Sequence, residues 1–413
     1  MALLVYGFKM PLRHSSPFFS ALEKESLFQV EGRLSSSPAV MASGKLYSMK
    51  LSLSSVMGKC SRAGENAGLV ESSACGSMMI LVPSVQVESL YPGRLYSKCP
   101  KGGFVLDEGE RILCLGSYSG KYKAFVAEKV EHLGTSSGLA GRLMHFRALL
   151  RLNFKRLMFS WGKAGALILS LLSGSREYLG QNIKEKFRLA GLSHVLALSG
   201  MHLSFFSGLS GTLYGKVFGK KYMRLAELAG ILFFIWFAGL SPSLFRAMLC
   251  SLILLLSGAL FCLEVEMLHV LSISFLLHIV IFPQDSQSLA FILSYGALAG
   301  ILLFSQPLKR FFVRFQPPGI AEGLAASAGA QAFTAPVSLA CFSSFAPGGI
   351  IASTVVSPMV SFFMALSLLF IVLSLLLPFL SSLFGGILNG VYFLLEFFIR
   401  LFAAVPCVSL GNS

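Results

Sequence analysis

Charge is what this chain lacks most. Only 13% of its 413 residues are Asp, Glu, Lys or Arg, about half the share usual in soluble domains. Hydrophobic residues make up 54%, and mean hydropathy is +0.72. These values exclude an ordinary soluble enzyme and point to a polytopic membrane protein. Acid is scarcer than base, 19 residues against 34, for a net charge of +15. Such an excess suits membrane loops and lipid headgroups, and it also suits a polyanion such as nucleic acid. After residue 225 the signs nearly cancel: five basic residues (Arg246, Lys309, Arg310, Arg314, Arg400) face six acidic ones. The seven histidines, at 14, 132, 145, 194, 202, 269 and 278, form no HxHxDH cluster, and the eight cysteines form no CxxC pair. A metallo-hydrolase site of that type and a zinc site are therefore not expected. There is no GxxxxGK[ST] phosphate loop and hence no ATPase in the chain. The reading is of a protein that is not an enzyme and needs no cofactor. The opening run Met1–Gly7 is too short for a signal peptide or a span. Either an upstream helix is missing from the reading frame, or the first domain is carried across by the spans behind it.

Four regions follow from composition. Residues 1–23 form an N-terminal segment. Residues 24–135 read as a small all-β domain. Alternating runs at 27–34, 45–53, 77–82, 111–115 and 122–127 are separated by Gly, Pro and Ser. Five strands without a strong helix fit an OB-like barrel, or a generic five-stranded sheet. Cys60, Cys75, Cys99 and Cys114 fall here. If the domain is extracytoplasmic, either these are free thiols or one disulfide forms, with Cys99–Cys114 the favoured pair. Residues 136–190 read as a basic connector. In it Arg142, Arg147, Arg151, Lys155, Arg156 and Lys163 interleave with Leu, Phe and Met, as in an amphipathic helix lying on headgroups. Residues 164–172 are apolar but too short to cross. Residues 191–413 hold seven to eight spans, at about 192–215, 225–240, 242–262, 267–282, 287–306, 322–342, 349–377 and 379–405. The positive-inside rule puts the basic loops at 216–224 and 309–314 in the cytoplasm, and so the β domain outside.

Polar groups in such segments are costly unless they face a partner or water. The first span opens with His194, Ser199, Gly200 and His202. Ser199 and His202 lie three apart and are neighbours if the run is helical. Such a set can relay protons, bind a polar substrate, or make a helix–helix hydrogen bond. Gly200, Ser204, Gly208, Gly211 and Gly215 recur at small-residue packing intervals. In the third segment Ser241 is an N-cap, Pro242 stands at N1, Ser243 follows, and Arg246 sits one turn in. Arg246 either snorkels to headgroups or lines a wet path, where its guanidinium suits phosphate. Gln331 and Pro336 mark a possible interruption of a later span, and Ser357-Pro358 a second. Broken helices of this kind line transport paths, and simple kinks are the other reading.

These motifs resemble those of the ComEC/Rec2 family of DNA-uptake channels. The run from Phe187 to His202 is similar to the family's most specific signature, and Gly239–Met248 to a second. Gln287–Ala297 and the stretch from Gln331 through Pro336 to Gly348 look like two weaker elements, in the same order. The resemblance implies an inner-membrane, multi-pass channel that passes single-stranded DNA into the cytoplasm in natural transformation. It implies a path past His194, Ser199, Gly200, His202, Ser243, Arg246, Gln331 and Pro336, and an OB-like domain that holds single strands. It further implies membrane lipid, a separate DNA receptor, a cytoplasmic motor helicase and possible homo-oligomers. The position near Ser353, where the family usually has Asn, is not Asn here. This is expected to be a short form, without the C-terminal metallo-β-lactamase-like domain, so that strand degradation falls to a separate nuclease. The residues alone leave two alternatives open: an intramembrane hydrolase using Ser199 with His202, or a small-anion transporter.

Overall fold

A computed structural model describes residues 24–36, 38–41, 46–60, 68–83, 107–135, 138–198, 200–219, 222–258, 265–342, 344–405 and 408–409. The chain divides into two compact units, residues 1–159 and 160–413.

In the first unit, seven strands form one sheet: β1 (Leu27–Leu34), β2 (Ala39–Val40), β3 (Leu46–Cys60), β4 (Gly68–Ser73), β5 (Ser77–Pro83), β6 (Glu110–Ser119) and β7 (Ala124–Thr135). Alternate residues point inward, so Val30, Leu51, Ile80, Ile112 and Phe125 reach 0% exposure. The period-2 pattern visible in the sequence therefore fixes the core face. β1 pairs antiparallel with both β3 and β6. β3 pairs with β5, β5 runs parallel to β7, and β7 pairs with β6. The ring β1-β3-β5-β7-β6 closes on itself, which removes its edges, and its order is that of a five-stranded Greek-key barrel of the OB type. Two glycines permit tight crossings. A Cβ on Gly32 would stand 2.1 Å from the Ser52 carbonyl oxygen, and one on Gly116 2.0 Å from that of Val126. Both positions adjoin register shifts, as at β-bulges.

Helix α1 (Leu139–Ser160) follows. Its basic face differs from the headgroup-facing expectation. Arg147 and Arg151 are 8% and 4% exposed, because the turn before β6 presents acid to them. Arg147 Nη1 lies 2.8 Å from Glu108 and Arg151 Nε 3.6 Å from Asp107. Glu110, itself buried, holds His132 Nε2 at 2.9 Å and His145 Nδ1 at 3.1 Å. Arg142 and Lys163 remain exposed.

The second unit is helical: α2 (Gly162–Ser173), α3 (Gln181–Leu189), α4 (Gly200–Phe218), α5 (Met223–Ala238), α6 (Pro242–Leu256), α7 (Met267–Ile281), α8 (Leu289–Phe312), α9 (Pro318–Phe342), α10 (Gly349–Leu376) and α11 (Ser381–Ala403). The short apolar α2 is buried from Ala164 to Ser173. Asn389 of α11 receives the Ala164 N–H at 3.1 Å and donates to the Trp161 carbonyl at 2.8 Å, satisfying groups a helix start leaves open. Eight helices stand where eight apolar segments were expected. Among the described residues, four are long and apolar enough to cross a membrane: α8, α9, α10, and the stretch Pro378–Ala403 that contains α11. The chain is thus a membrane-protein helical assembly with an N-terminal all-β domain.

Candidate functional site

The site is built around residues 190–200. The expected first span would have begun at 192, but helix α4 begins only at Gly200. Gly191 takes φ +71°, a left-handed turn that suits glycine. Leu192 N–H then bonds the Phe187 carbonyl at 2.8 Å, and Val195 N–H that of Leu192 at 3.0 Å. His194 therefore lies exposed in a turn, whereas His202 is fully buried on α4. The structure does not put the two histidines on one helix. Ser199 lies outside the described residues, as does Cys99 of the expected disulfide. Cys114 is a buried free thiol in the barrel core.

The later motif elements gather on this segment. A Cβ on Gly191 would stand 3.0 Å from Gly349 Cα and 3.2 Å from Ala346 Cβ, and one on Gly349 3.0 Å from Gln331 Nε2. Gln331 Oε1 is buried with no hydrogen-bond partner among the described residues. Ser353, one turn into α10, donates its hydroxyl to the Gly349 carbonyl. At the other end, a Cβ on Gly200 would lie 3.4 Å from Ala247 Cβ and 3.7 Å from Arg246 Nη2.

Arg246 comes from α6. As its sequence predicts, Ser241 caps this helix by accepting from Leu244 N–H at 3.4 Å, with Pro242 at N1. Ser243 lies half-buried on the first turn. The Arg246 side chain reaches across to α8. Nη1 donates to the Ser294 carbonyl, the guanidinium carbon is 5.9 Å from the Tyr295 ring centroid, and Nε is buried without a partner among the described residues. A snorkelling arginine would instead turn its head to water.

Gln331 and Pro336 part company. Gln331 is half-buried, while Pro336 is exposed on the outside of α9. The expected interruptions are absent as well, since α9 runs through Pro336 and α10 through Pro358. Each proline removes one N–H donor. Neighbouring hydroxyls bond back to the helix, Thr334 to the Ala330 carbonyl at 3.0 Å and Thr354 to that of Ile350 at 2.9 Å.

One cluster escaped the sequence reading. Ser274 and His278 on α7 are both fully buried and meet the Tyr295 hydroxyl, at 2.9 and 3.2 Å. His278 Nε2 lies 3.2 Å from Asp285 Oδ2. The available signal was the i, i+4 spacing of Ser274 and His278 in an otherwise apolar helix. The other partners come from another helix and a turn.

With Gln331 and Gly349 at one end of the segment and Arg246 with Ser294 at the other, the comparison with known proteins is decisive. The family model for competence protein matches residues 171–412. The chain belongs to the competence protein family. The four long apolar helices among the described residues make it a membrane protein. The competence region covers α3 to α11 and so every residue of the site, while the barrel lies outside it. A protein of Aquifex aeolicus (strain VF5), described as uncharacterized, is 31% identical over 197 residues. That match covers 47% of this chain and 45% of the relative, so the chain spans about half of that protein's length. No solved structure matches.

Proposed function

We propose that this competence protein forms an inner-membrane, multi-pass path through which single-stranded DNA enters the cytoplasm. The observation that carries the reading is that two later motif elements meet residues 191–200, the Gln331–Gly349 stretch at Gly191 and Arg246 at Gly200, while Arg246 in turn holds Ser294 of the remaining one. A fixed guanidinium in a low-dielectric bundle binds phosphate through paired N–H groups. Glycine at 200 puts no side chain against it, where a Cβ would lie 3.7 Å from Nη2. The barrel contributes a first contact for the strand. Its β6–β7 hairpin presents Tyr122, 46% exposed, with Lys121 Nζ 5.7 Å from the ring centroid and Lys123 beside it. Base stacking on an exposed aromatic next to cations is how OB folds hold single strands. On this reading a DNA receptor, a motor helicase and a nuclease are separate proteins, and the chain itself performs no hydrolysis.

The test is transformation frequency in a deletion strain complemented at equal protein level. Arg246→Lys keeps the charge but loses the fork, and Arg246→Ala loses both. The expected order is Ala below Lys below wild type. Equal uptake by all three would remove Arg246 from the path.

A further inference from the structure

We propose that Asp285, His278 and Tyr295 form a positioning chain that holds the Arg246 guanidinium in place. The proposal rests on the reading of Arg246 as a phosphate contact. Behind the arginine, Ser294 and Tyr295 are consecutive residues of α8. The first supplies the carbonyl that takes Nη1, and the second supplies the ring beside the guanidinium. Whatever fixes this turn of α8 fixes the arginine.

Three hydrogen-bond partners surround the Tyr295 hydroxyl: the Ser274 carbonyl at 3.0 Å, Ser274 Oγ at 2.9 Å and His278 Nδ1 at 3.2 Å. His278 is wedged edge-on against Phe245 and Phe291, with ring centroids at 4.7 and 4.9 Å. Its far nitrogen meets Asp285, whose side chain is 34% exposed, in the turn Pro283–Gln287. The donor count is satisfied in two ways. A neutral His278 donates Nε2–H to Asp285 and accepts the Tyr295 hydroxyl proton at Nδ1. An imidazolium donates from both nitrogens, and Tyr295 then gives its proton to the Ser274 carbonyl. Either arrangement pins the ring. Buried polar chains that stay fully satisfied rigidify their surroundings, and polar side chains kept inside membrane helices are costly unless partnered. Simple helix packing in this apolar bundle needs none of the three residues.

The experiment uses the full chain in detergent and in cells. Tyr295→Phe keeps the ring and removes only the hydroxyl, Asp285→Ala removes the outer anchor, and Asp285→Asn keeps an acceptor. In detergent, modification of Arg246 by an arginine-directed dicarbonyl is followed by mass spectrometry. Tyr295→Phe and Asp285→Ala are expected to speed it about fivefold, the equivalent of one lost hydrogen bond, with Asp285→Asn near wild type. In cells, the same two changes are expected to lower uptake by a similar factor, and to lower it no further in an Arg246→Ala background. Unchanged modification rates overturn the positioning proposal, as do uptake losses that persist undiminished in that background. Faster modification with wild-type uptake by Arg246→Ala leaves the positioning intact and overturns the phosphate contact instead.

Discussion

Cys114 shows how completely burial governs chemistry at a single residue. It has no exposed surface in the barrel core, and desolvation pushes its thiol pKa from 9.0 up to about 12. The thiolate is the reactive form, and three pH units leave about a thousandfold less of it at a given pH. At pH 8.5 an alkylating reagent is expected to modify exposed Cys75 and to spare Cys114 in the folded chain. Unfolding without reductant should then expose Cys114 to the same reagent, read by peptide mass spectrometry. Modification that needs reductant even after unfolding would mean the thiol is paired, as the favoured Cys99–Cys114 disulfide requires. The buried site is explained by the alternation of β6, where Ile112 and Cys114 both face inward.

At the scale of elements, the pair α8 and α9 turns on two glycines. A Cβ on Gly300 would stand 2.2 Å from the Gly329 carbonyl oxygen, and one on Gly329 2.8 Å from that of Gly300. Backbones this close exclude any side chain, as in other small-residue membrane contacts. Gly300→Ala must separate the helices and is expected to cost about 1–3 kcal/mol, the usual penalty for overpacking, measured by reversible unfolding in mixed micelles. Gly386 of α11, where a Cβ would meet nothing within 4 Å, provides the control, and a similar loss there would remove the packing explanation. The elements were mostly legible in the sequence because their periodicities are local: five strands by alternation, eight apolar segments by hydropathy, and the α6 start by Ser241 and Pro242. The boundary at Gly200 was not legible. A left-handed glycine and a turn hide inside an apolar run, and the spacing of His194 to His202 reads as helical when the backbone is not. Nor were the ion pairs of α1. Basic residues among apolar ones look alike whether they meet headgroups or, as Arg147 and Arg151 do, carboxylates placed by a turn 39 or more residues earlier. The site was legible as four motifs, but not as a cluster. Arg246 finds Ser294 at a separation of 48 residues, and no local pattern encodes that contact.

Two properties of the whole molecule follow from the distribution of charge. The first is its hold on a polyanion. If single strands lie along the β6–β7 hairpin, Lys121 and Lys123 each release counterions on binding, and log K falls with log salt by about 0.7 per phosphate neutralised. Replacing both lysines with Ala in the full chain is expected to flatten that slope by about 1.4 units. Tyr122→Ala should weaken binding at every salt concentration, by about 1–3 kcal/mol, without changing the slope. The second property is orientation. The basic clusters at 216–224 and 309–314 are separated by α5, α6, α7 and α8. Of these only α8 has full spanning length; if the shorter α5, α6 and α7 cross with it, four crossings would return the chain to its starting side, and the positive-inside rule makes that side the cytoplasm. One further crossing, by α4, would then place the barrel outside. Cys75 is the native reporter, since its thiol is exposed on the barrel. An impermeant maleimide applied to intact spheroplasts should label Cys75 at once. It should label a cysteine introduced by Lys220→Cys only after the membrane is permeabilised. Labelling of position 220 in intact spheroplasts, with Cys75 protected, would invert the orientation and take the barrel out of the path of incoming DNA.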